Sequence, residues 1–328
     1  ASTPIERAAT PMETSARRPL ATRPTAFTFA FGDAEIGARP IDEAVRGVAT
    51  GSQLSLSWAE LEPRNGSFEL ARLRAFQSKL PANGTALVHI RVPDDAQLGA
   101  PADLGIRSVA DPEVQARLAA LFDALVPALD PRVRYLSIGS HVELFFRAHP
   151  EQIDAYIAFA STLSDRISKQ RAGLGLGVMS SYRAWSDPNL NPPLKRLSRY
   201  ADLLYLSYLP ESADAPWTDI PRMLELANGH GVVIQEMGYP AGTEATEQQQ
   251  AEVLRALLET GAAARGRLRH VTWIYLDDLS DSRCDALVAE EFRSSARQRD
   301  LVCRLGLRRP DGSFKQGWQR LRARVAPF

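Results

Sequence analysis

YLSIGSHVELFF, residues 135–146, is an apolar run that becomes polar at Ser140 and His141 and continues into an aromatic-rich segment. Such a run is typical of a strand in a parallel sheet whose two faces are both buried, followed here by the start of a helix. In barrels built from such strands, side chains at the carboxyl ends form the functional site. The stretch therefore predicts an α/β fold and a polar pair at its site end.

The same alternation of apolar strand and amphipathic helix recurs along the chain. Together with the quoted stretch, seven further strand candidates make eight: 26–32, 52–58, 85–92, 172–179, 201–208, 231–237 and 270–276. Eight such units favour a single α/β domain, a closed (β/α)8 TIM barrel over residues 26–328, rather than an open doubly wound sheet. Residues 1–25 lack apolar periodicity, so we expect a flexible N-terminal tether there.

Charge and composition exclude several functional classes. Lys and Arg total 39, and Asp and Glu also total 39, so electrostatics does not favour binding to nucleic acid. No segment approaches the roughly 18 apolar residues of a membrane span, so we expect a protein that does not span membranes. GLGLG at 173–177 lacks the full GxGxxG pattern and lies within a predicted strand. We therefore expect no cofactor, and no zinc-ligand spacing indicates a metal.

The two cysteines, Cys284 and Cys303, leave two interpretations open. They are either free thiols or one disulfide that closes a long loop. The second interpretation requires an oxidising compartment.

The predicted carboxyl ends of the strands select one group of polar and aromatic residues. These are Trp58, Glu60, Glu62, His89, Arg91, Asp94, Asp95, Ser140, His141, Glu143, Tyr205, Tyr208, Glu236, Trp273, Tyr275, Asp277 and Asp278. Aromatic faces stack on the apolar side of a pyranose, and charged groups bond its hydroxyls, so the group predicts a carbohydrate site. Glu236 is the strongest indication, because a carboxylate in VVIQEM is costly to bury unless it is solvated, hydrogen-bonded or used.

Four segments resemble the clan of retaining (β/α)8 glycoside hydrolases that includes xylanases, endo-galactanases and β-galactosidases. SLSWAELEPRNGSFEL resembles the stretch after strand two of that clan, and YADLLYLSYLP resembles strand six. VVIQEMGYP resembles strand seven with its nucleophile, and LRRPDGSFKQGWQRL resembles the closing segment. The similarity covers roughly residues 26–325 in order.

The resemblance implies two catalytic carboxyl groups about 5 to 5.5 Å apart, an acid/base Glu after an Asn on strand four and a nucleophile on strand seven. Glu236 matches the nucleophile, whereas Ser140 and His141 replace the Asn-Glu pair. A protonated His141 is expected to form an ion pair with Glu236 and hinder its attack. On a regular strand Ser140 and His141 face opposite sides, and Glu143 lies on the His141 side but further out.

The candidate catalytic residues are therefore Glu236, His141 and Glu143. The candidate substrate-binding residues are Trp58, His89, Arg91, Ser140, Tyr208, Trp273 and Tyr275.

The leading hypothesis is a glycoside-hydrolase-like barrel that binds a poly- or oligosaccharide, with standard retaining hydrolysis lost or altered at the acid/base position. One alternative is an active glycosidase or transglycosylase in which Glu236 is the nucleophile and His141 or Glu143 donates the proton. Others are a protein-binding scaffold and a metal site of those three residues. The substrate class, the tether and the absence of an initiating Met lead us to expect a periplasmic or extracellular location. Sugar identity, linkage and oligomeric state stay open.

Overall fold

The computed structural model describes residues 28–31, 48–105, 107–242, 245–291 and 296–325. Nine strands lie in these ranges: β1 Thr28–Phe31, β2 Gly51–Ser57, β3 Thr85–Asp94, β4 Val133–Ser140, β5 Gly175–Gly177, β6 Met179–Ser181, β7 Leu203–Tyr208, β8 Gly231–Met237 and β9 Leu268–Trp273. The tether predicted at 1–25 lies outside the described residues, and it stays a prediction.

Helices follow or separate the strands. Those in the described ranges are α1 Trp58–Leu61, α2 Ala71–Ser78, α3 Pro112–Ala128, α4 Val142–Ala148, α5 Ile153–Gln170, α6 Asn191–Ser198, α7 Pro216–Leu226, α8 Glu247–Ala263, α9 Asp281–Glu291, α10 Ala296–Cys303 and α11 Gln316–Val325. In the described part of the chain, none of them is long and apolar enough to cross a membrane.

The strands form two parallel sheets, in the orders β1-β9-β8-β7-β6 and β2-β3-β4-β5. Every neighbouring pair within these sheets runs parallel. Strand β1 contacts β2, and β4 contacts β6, so the sheets adjoin at both edges, although no ladder joins them within the described residues. This arrangement, with helices between successive strands, confirms the single (β/α)8 barrel predicted from the sequence.

The fifth barrel strand is interrupted. The prediction of one continuous strand over 172–179 is therefore wrong. Strands β5 and β6 are separated at Val178, and the barrel interior beside them is filled by the ring of Tyr205. A Cβ added to Gly177 would lie 2.2 Å from that ring, and the Tyr205 hydroxyl donates to the Gly175 carbonyl at 2.6 Å. The glycines are needed because a neighbouring strand sends a large side chain inward.

Apolar side chains form two cores on opposite sides of the strands. The smaller core fills the barrel interior and contains Leu87, Met179, Leu203, Tyr205 and Val233. The larger core lies between the strands and the surrounding helices. This division follows from the alternation of side chains along each strand, which sends successive residues inward and outward.

The chain after β9 is fixed to the barrel by buried polar contacts. Lys315 Nζ lies 2.8 Å from Asp278 Oδ1, and both side chains are almost completely buried. Trp273 Nε1 donates to the Leu305 carbonyl at 2.7 Å. Cys284 and Cys303 form a disulfide, which selects the second of the two interpretations offered for these cysteines.

Candidate active site

At the carboxyl end of β4 the chain leaves strand geometry before Glu143. Gly139 has φ 88°, β4 ends at Ser140, and His141 adopts the left-handed conformation with φ 42° directly before α4. Left-handed backbone is uncommon outside glycine, although histidine is one of the residues enriched there. The expected placement of His141 and Glu143 along a regular strand is therefore wrong.

His141 lies between the two carboxylates named as catalytic candidates. Its Nε2 lies 3.2 Å from Glu236 Oε2, and its Nδ1 lies 3.3 Å from Glu143 Oε1. Glu143 reaches this position from the first turn of α4, where it is buried and also accepts from the Ser181 backbone N–H at 3.0 Å. We call His141, Glu143 and Glu236 the ion triad. The three residues predicted from the sequence thus come together.

A bulge in β8 aims Glu236 toward the barrel mouth. The pairing of β7 with β8 shifts between Leu206 and Ser207, so Gln235 has no partner in the register and Glu236 lies opposite Ser207. The Ser207 hydroxyl lies near Glu236 and helps to lower the pKa of that carboxyl. The Glu236 side chain keeps 28% of its surface exposed, so this carboxylate is accessible from the mouth.

The charge of His141 is determined by its two carboxylate neighbours. Burial alone would lower the pKa of His141, but hydrogen bonds to Glu143 and Glu236 and their negative charges raise it to about 10. At neutral pH the ring is therefore an imidazolium whose two N–H groups both donate to carboxylates.

The carboxylates respond in the opposite direction. Burial alone would raise the pKa of Glu236 and of Glu143, but the hydrogen bonds and positive charge of His141 lower both below their ordinary value. Both groups are consequently ionised at neutral pH. The second Glu143 oxygen, Oε2, is buried and accepts no hydrogen bond from the described residues.

His89 lies beneath the ion triad and stays uncharged. Its Nδ1 is 3.1 Å from Ser55 Oγ, and its Nε2 is 3.2 Å from the Gly139 carbonyl. Because a carbonyl only accepts, Nε2 carries the proton. Burial lowers the pKa of His89 to about 4. With 1% of its surface exposed, His89 supports the end of β4 rather than presenting itself to a ligand.

Three aromatic residues predicted to bind substrate are buried in this conformation. Trp58 begins α1, is completely buried and donates from Nε1 to Glu62 Oε2 at 2.7 Å. Trp273 is also completely buried, with its indole on the Leu305 carbonyl. Tyr208 is 3% exposed, and its hydroxyl donates to a carboxylate of α7. The stacking expected of these rings needs an exposed face, which this conformation does not offer.

The remaining candidates lie around the mouth. Arg91 is 38% exposed and forms long ion pairs of 3.7 Å with Glu60 and Asp94. Tyr275, two residues beyond β9, is half-buried. Ser140 is nearly buried, and its hydroxyl donates to Asp95 Oδ1 at 2.9 Å. The hydroxyl is therefore engaged away from His141, as expected if the two do not form a nucleophile pair.

Two contributors to the site were missed from the sequence. The Ser181 N–H holds Glu143, and the Ser207 hydroxyl contacts Glu236. Ser207 had a detectable signal, since it is a polar residue near the end of an otherwise apolar strand. A backbone N–H such as that of Ser181 leaves no signal in residue identity.

Metal binding is not supported by the geometry of the ion triad. The imidazolium lies between the carboxylates, so their oxygens do not converge on one point. Among the residues that the structure describes, no group of three His, Cys, Asp or Glu side chains is arranged to hold a metal ion.

Comparison with solved structures relates the barrel to several glycoside hydrolases. A family 39 glycoside hydrolase from Bacteroides cellulosilyticus WH2 has a TM-score of 0.66 at 14% identity, over 94% of this chain and 64% of that one. An exo-β-1,4-mannosidase from Opitutaceae bacterium strain TAV5 has a TM-score of 0.65 at 15% identity, over 91% and 59%. A GH5_18 protein from Streptomyces cattleya in complex with Manβ1-4GlcNAc has a TM-score of 0.68 at 14% identity, over 91% and 80%.

The chain has the fold of these glycoside hydrolases. It spans 64% and 59% of the length of the first two. No protein-family model matches the sequence, and no curated protein matches it significantly. The similarity is therefore one of three-dimensional fold, consistent with the resemblance of the strand-end motifs.

Proposed function

We propose that the barrel mouth binds a poly- or oligosaccharide and that standard retaining hydrolysis is lost or altered at the acid/base position. The observation that carries this proposal is the ion triad, in which His141 occupies the carboxylate expected to act as nucleophile. A charge-assisted hydrogen bond is among the stronger contacts in proteins, and attack by Glu236 has to break it or draw on the other oxygen.

Proton donation to a leaving group is also impaired in this arrangement. The Nε2 proton of His141 points to Glu236, and a pKa of about 10 is far from the neutral range in which a general acid works best. Glu143 cannot substitute directly, because it is buried and its Oε1 accepts from Ser181 and His141. General acid catalysis supplies about 10² to 10⁴ in rate, so this loss alone would make turnover of natural substrates very slow.

Carbohydrate binding is supported by what stays accessible at the mouth. Arg91, Tyr275, His141 and Glu236 combine charged donors and acceptors with one aromatic ring. Such a mixture suits sugar hydroxyls and the apolar face of a pyranose. The solved neighbours include a protein in complex with Manβ1-4GlcNAc and an exo-β-1,4-mannosidase, so β-linked manno- and gluco-oligosaccharides are the first ligands to screen.

The experiment combines binding with two kinds of substrate. We expect natural oligosaccharides to raise the melting temperature of the protein without being cleaved. Aryl glycosides with activated leaving groups should still be hydrolysed, although slowly, because their leaving groups need little protonation. Glu236→Gln should abolish that slow turnover. The double variant Ser140→Asn/His141→Glu should gain about 10² or more in rate on natural substrates, because it restores a general acid.

Three outcomes would contradict the proposal or redirect it. Cleavage of a natural polysaccharide by the unmodified protein at ordinary enzymatic rates, lost in Glu236→Gln, would show that hydrolysis is intact. Absence of any oligosaccharide-induced thermal shift across a broad panel would favour a protein-binding scaffold. If neither the double variant nor the parent hydrolyses activated aryl glycosides, Glu236 does not act as a nucleophile.

An active glycosidase or transglycosylase is the second candidate. It is favoured by one observation, that Glu236 is ionised and accessible, as a nucleophile must be. If His141 or Glu143 donates the proton, the rate should show a bell-shaped pH profile with one limb displaced in His141→Ala or Glu143→Gln. An unchanged profile in both variants would exclude this mechanism.

We also propose a periplasmic or extracellular location. A polysaccharide ligand and the disulfide between Cys284 and Cys303 both support it, because disulfides persist in oxidising compartments. Fractionation of the source cells, with thiol labelling before and after reduction, tests this location.

A further inference from the structure

A groove on the outside of the barrel lies between α6 and α7. Its volume is about 770 Å³, which falls within the range of small-ligand sites. Leu204 of β7 lies at its floor. The helices on its two sides are short, with 8 residues in α6 and 11 in α7. Their neighbours around the barrel, α5 and α8, have 18 and 17 residues. The short helices leave the groove open to solvent.

The charged side chains that line the groove are mostly cationic. Lys195 and Arg199 come from α6 and its C-terminal end, Arg222 comes from α7, and all three are exposed. Glu225 is the one acidic residue among the described groove residues, and His230 lies at one end. Lys195 and Arg199 are four residues apart, a spacing at which like charges repel on a helix surface. Neither forms an ion pair with any residue that the structure describes.

A pair of tyrosines lies between the groove and the end of β7. Tyr182 lines the groove, and its ring contacts that of Tyr208 edge-on at 5.6 Å between centroids. Both hydroxyls donate to Asp219, at 3.3 and 2.8 Å. Tyr208 directly follows Ser207, whose hydroxyl contacts Glu236. The tyrosine pair therefore connects one wall of the groove to the end of β7.

We propose that this groove is a second binding site and that it takes a carboxylate-bearing stretch of polysaccharide, a uronic-acid chain. Carboxylates repeated along such a chain complement the cations at Lys195, Arg199 and Arg222, and the partly exposed Tyr182 supplies an apolar face for a sugar ring. The choice of a glycan as the occupant rests on the function proposed for the mouth. The anionic character of the occupant rests only on the groove.

The test measures binding of oligogalacturonate by calorimetry at about 0.01 M and about 0.15 M salt. We expect Lys195→Ala/Arg199→Ala to weaken binding at least tenfold at the lower salt concentration. Arg74→Ala/Lys79→Ala is the matched control, because it removes two exposed cations from α2 and its C-terminal end and changes the net charge equally. The control should bind within twofold of the parent, and higher salt should weaken the parent.

Several results would overturn the proposal. The first is that oligogalacturonate does not bind at the lower salt concentration. The second is that both double variants weaken oligogalacturonate binding equally. The third is that polyglutamate displaces bound oligogalacturonate as effectively as free oligogalacturonate does. The last result would assign the groove to an acidic protein. Glu236→Gln should leave uronate binding unchanged, and a loss would place the ligand in the mouth. If neutral oligosaccharides fail to bind while uronate binding survives, the function proposed for the mouth fails and the anionic site stands.

Discussion

Replacing His141 with asparagine should remove a pH-dependent part of the folding stability. Asparagine tolerates the left-handed backbone at this position, so the change removes the imidazolium without adding backbone strain. The pKa of His141 rises from 6.5 to about 10 in the folded protein. Between these values the folded state keeps a proton that the unfolded state has released.

The sign and size of the effect follow from this difference in bound protons. The contribution is fully present below pH 6.5 and is lost as the pH rises through about 10. Since one pKa unit equals 1.36 kcal/mol, the contribution amounts to about 5 kcal/mol at most. Stability should fall by about 1.4 kcal/mol per pH unit in the middle of that range, because one proton is involved.

Urea unfolding of the parent and of His141→Asn at about pH 6 and about pH 10.5 measures the effect. The parent should lose several kcal/mol more than the variant between the two conditions. Titratable groups outside the ion triad are common to both proteins and cancel in the difference. Equal losses would refute the ion triad as the cause, as would an NMR titration in which the His141 ring loses its proton near pH 6.5.

Three further predictions concern the barrel and its C-terminal segment. Lys315→Met leaves Asp278 buried without its cation, so urea unfolding should show a loss of about 3 to 5 kcal/mol, and a loss near zero would contradict burial of the pair. Cys303→Ser opens a loop of sequence separation 19 and should lower the free energy of unfolding by about 3 kcal/mol. A reductant should lower the melting temperature of the parent as much as the substitution does, and should leave that of the variant unchanged. Gly177→Ala forces a methyl group against the Tyr205 ring and should cost about 1 to 3 kcal/mol, and an unchanged unfolding midpoint would show that the ring moves freely.

The sequence predicted the meeting of His141 and Glu236, because barrel topology brings the carboxyl ends of the parallel strands together at one mouth. Glu236 and His141 lie at the ends of different strands, so no local sequence pattern connects them. The alternation of eight strand and helix units predicts the barrel, and the barrel places both strand ends at the same mouth. The distance and hydrogen bonds between them depended on the left-handed turn at His141. A short apolar run followed by aromatic residues fits either a strand or the start of a helix. The sequence therefore does not show whether residues 141–143 continue the strand or begin the helix.

The burial of Trp58 and Tyr208 has a different physical cause. Ser57 caps α1, so the chain turns into a helix at Trp58 and carries the indole into the core beside Glu62. Residue type places an aromatic ring at a strand end, but the backbone turn that follows decides which side the ring faces. Tyr208 likewise ends β7 with its hydroxyl committed to α7.

The disulfide between Cys284 and Cys303 also bears on how this protein can be lengthened. The Leu279 N–H donates to the Cys303 carbonyl at 3.0 Å, so both ends of the enclosed segment are held together at its base. Closure entropy grows only slowly with loop length, so extra residues inside such a tied segment add little to the free energy of folding. Lengthening the chain between the two cysteines should therefore cost little stability, because the disulfide keeps the two ends of the segment together.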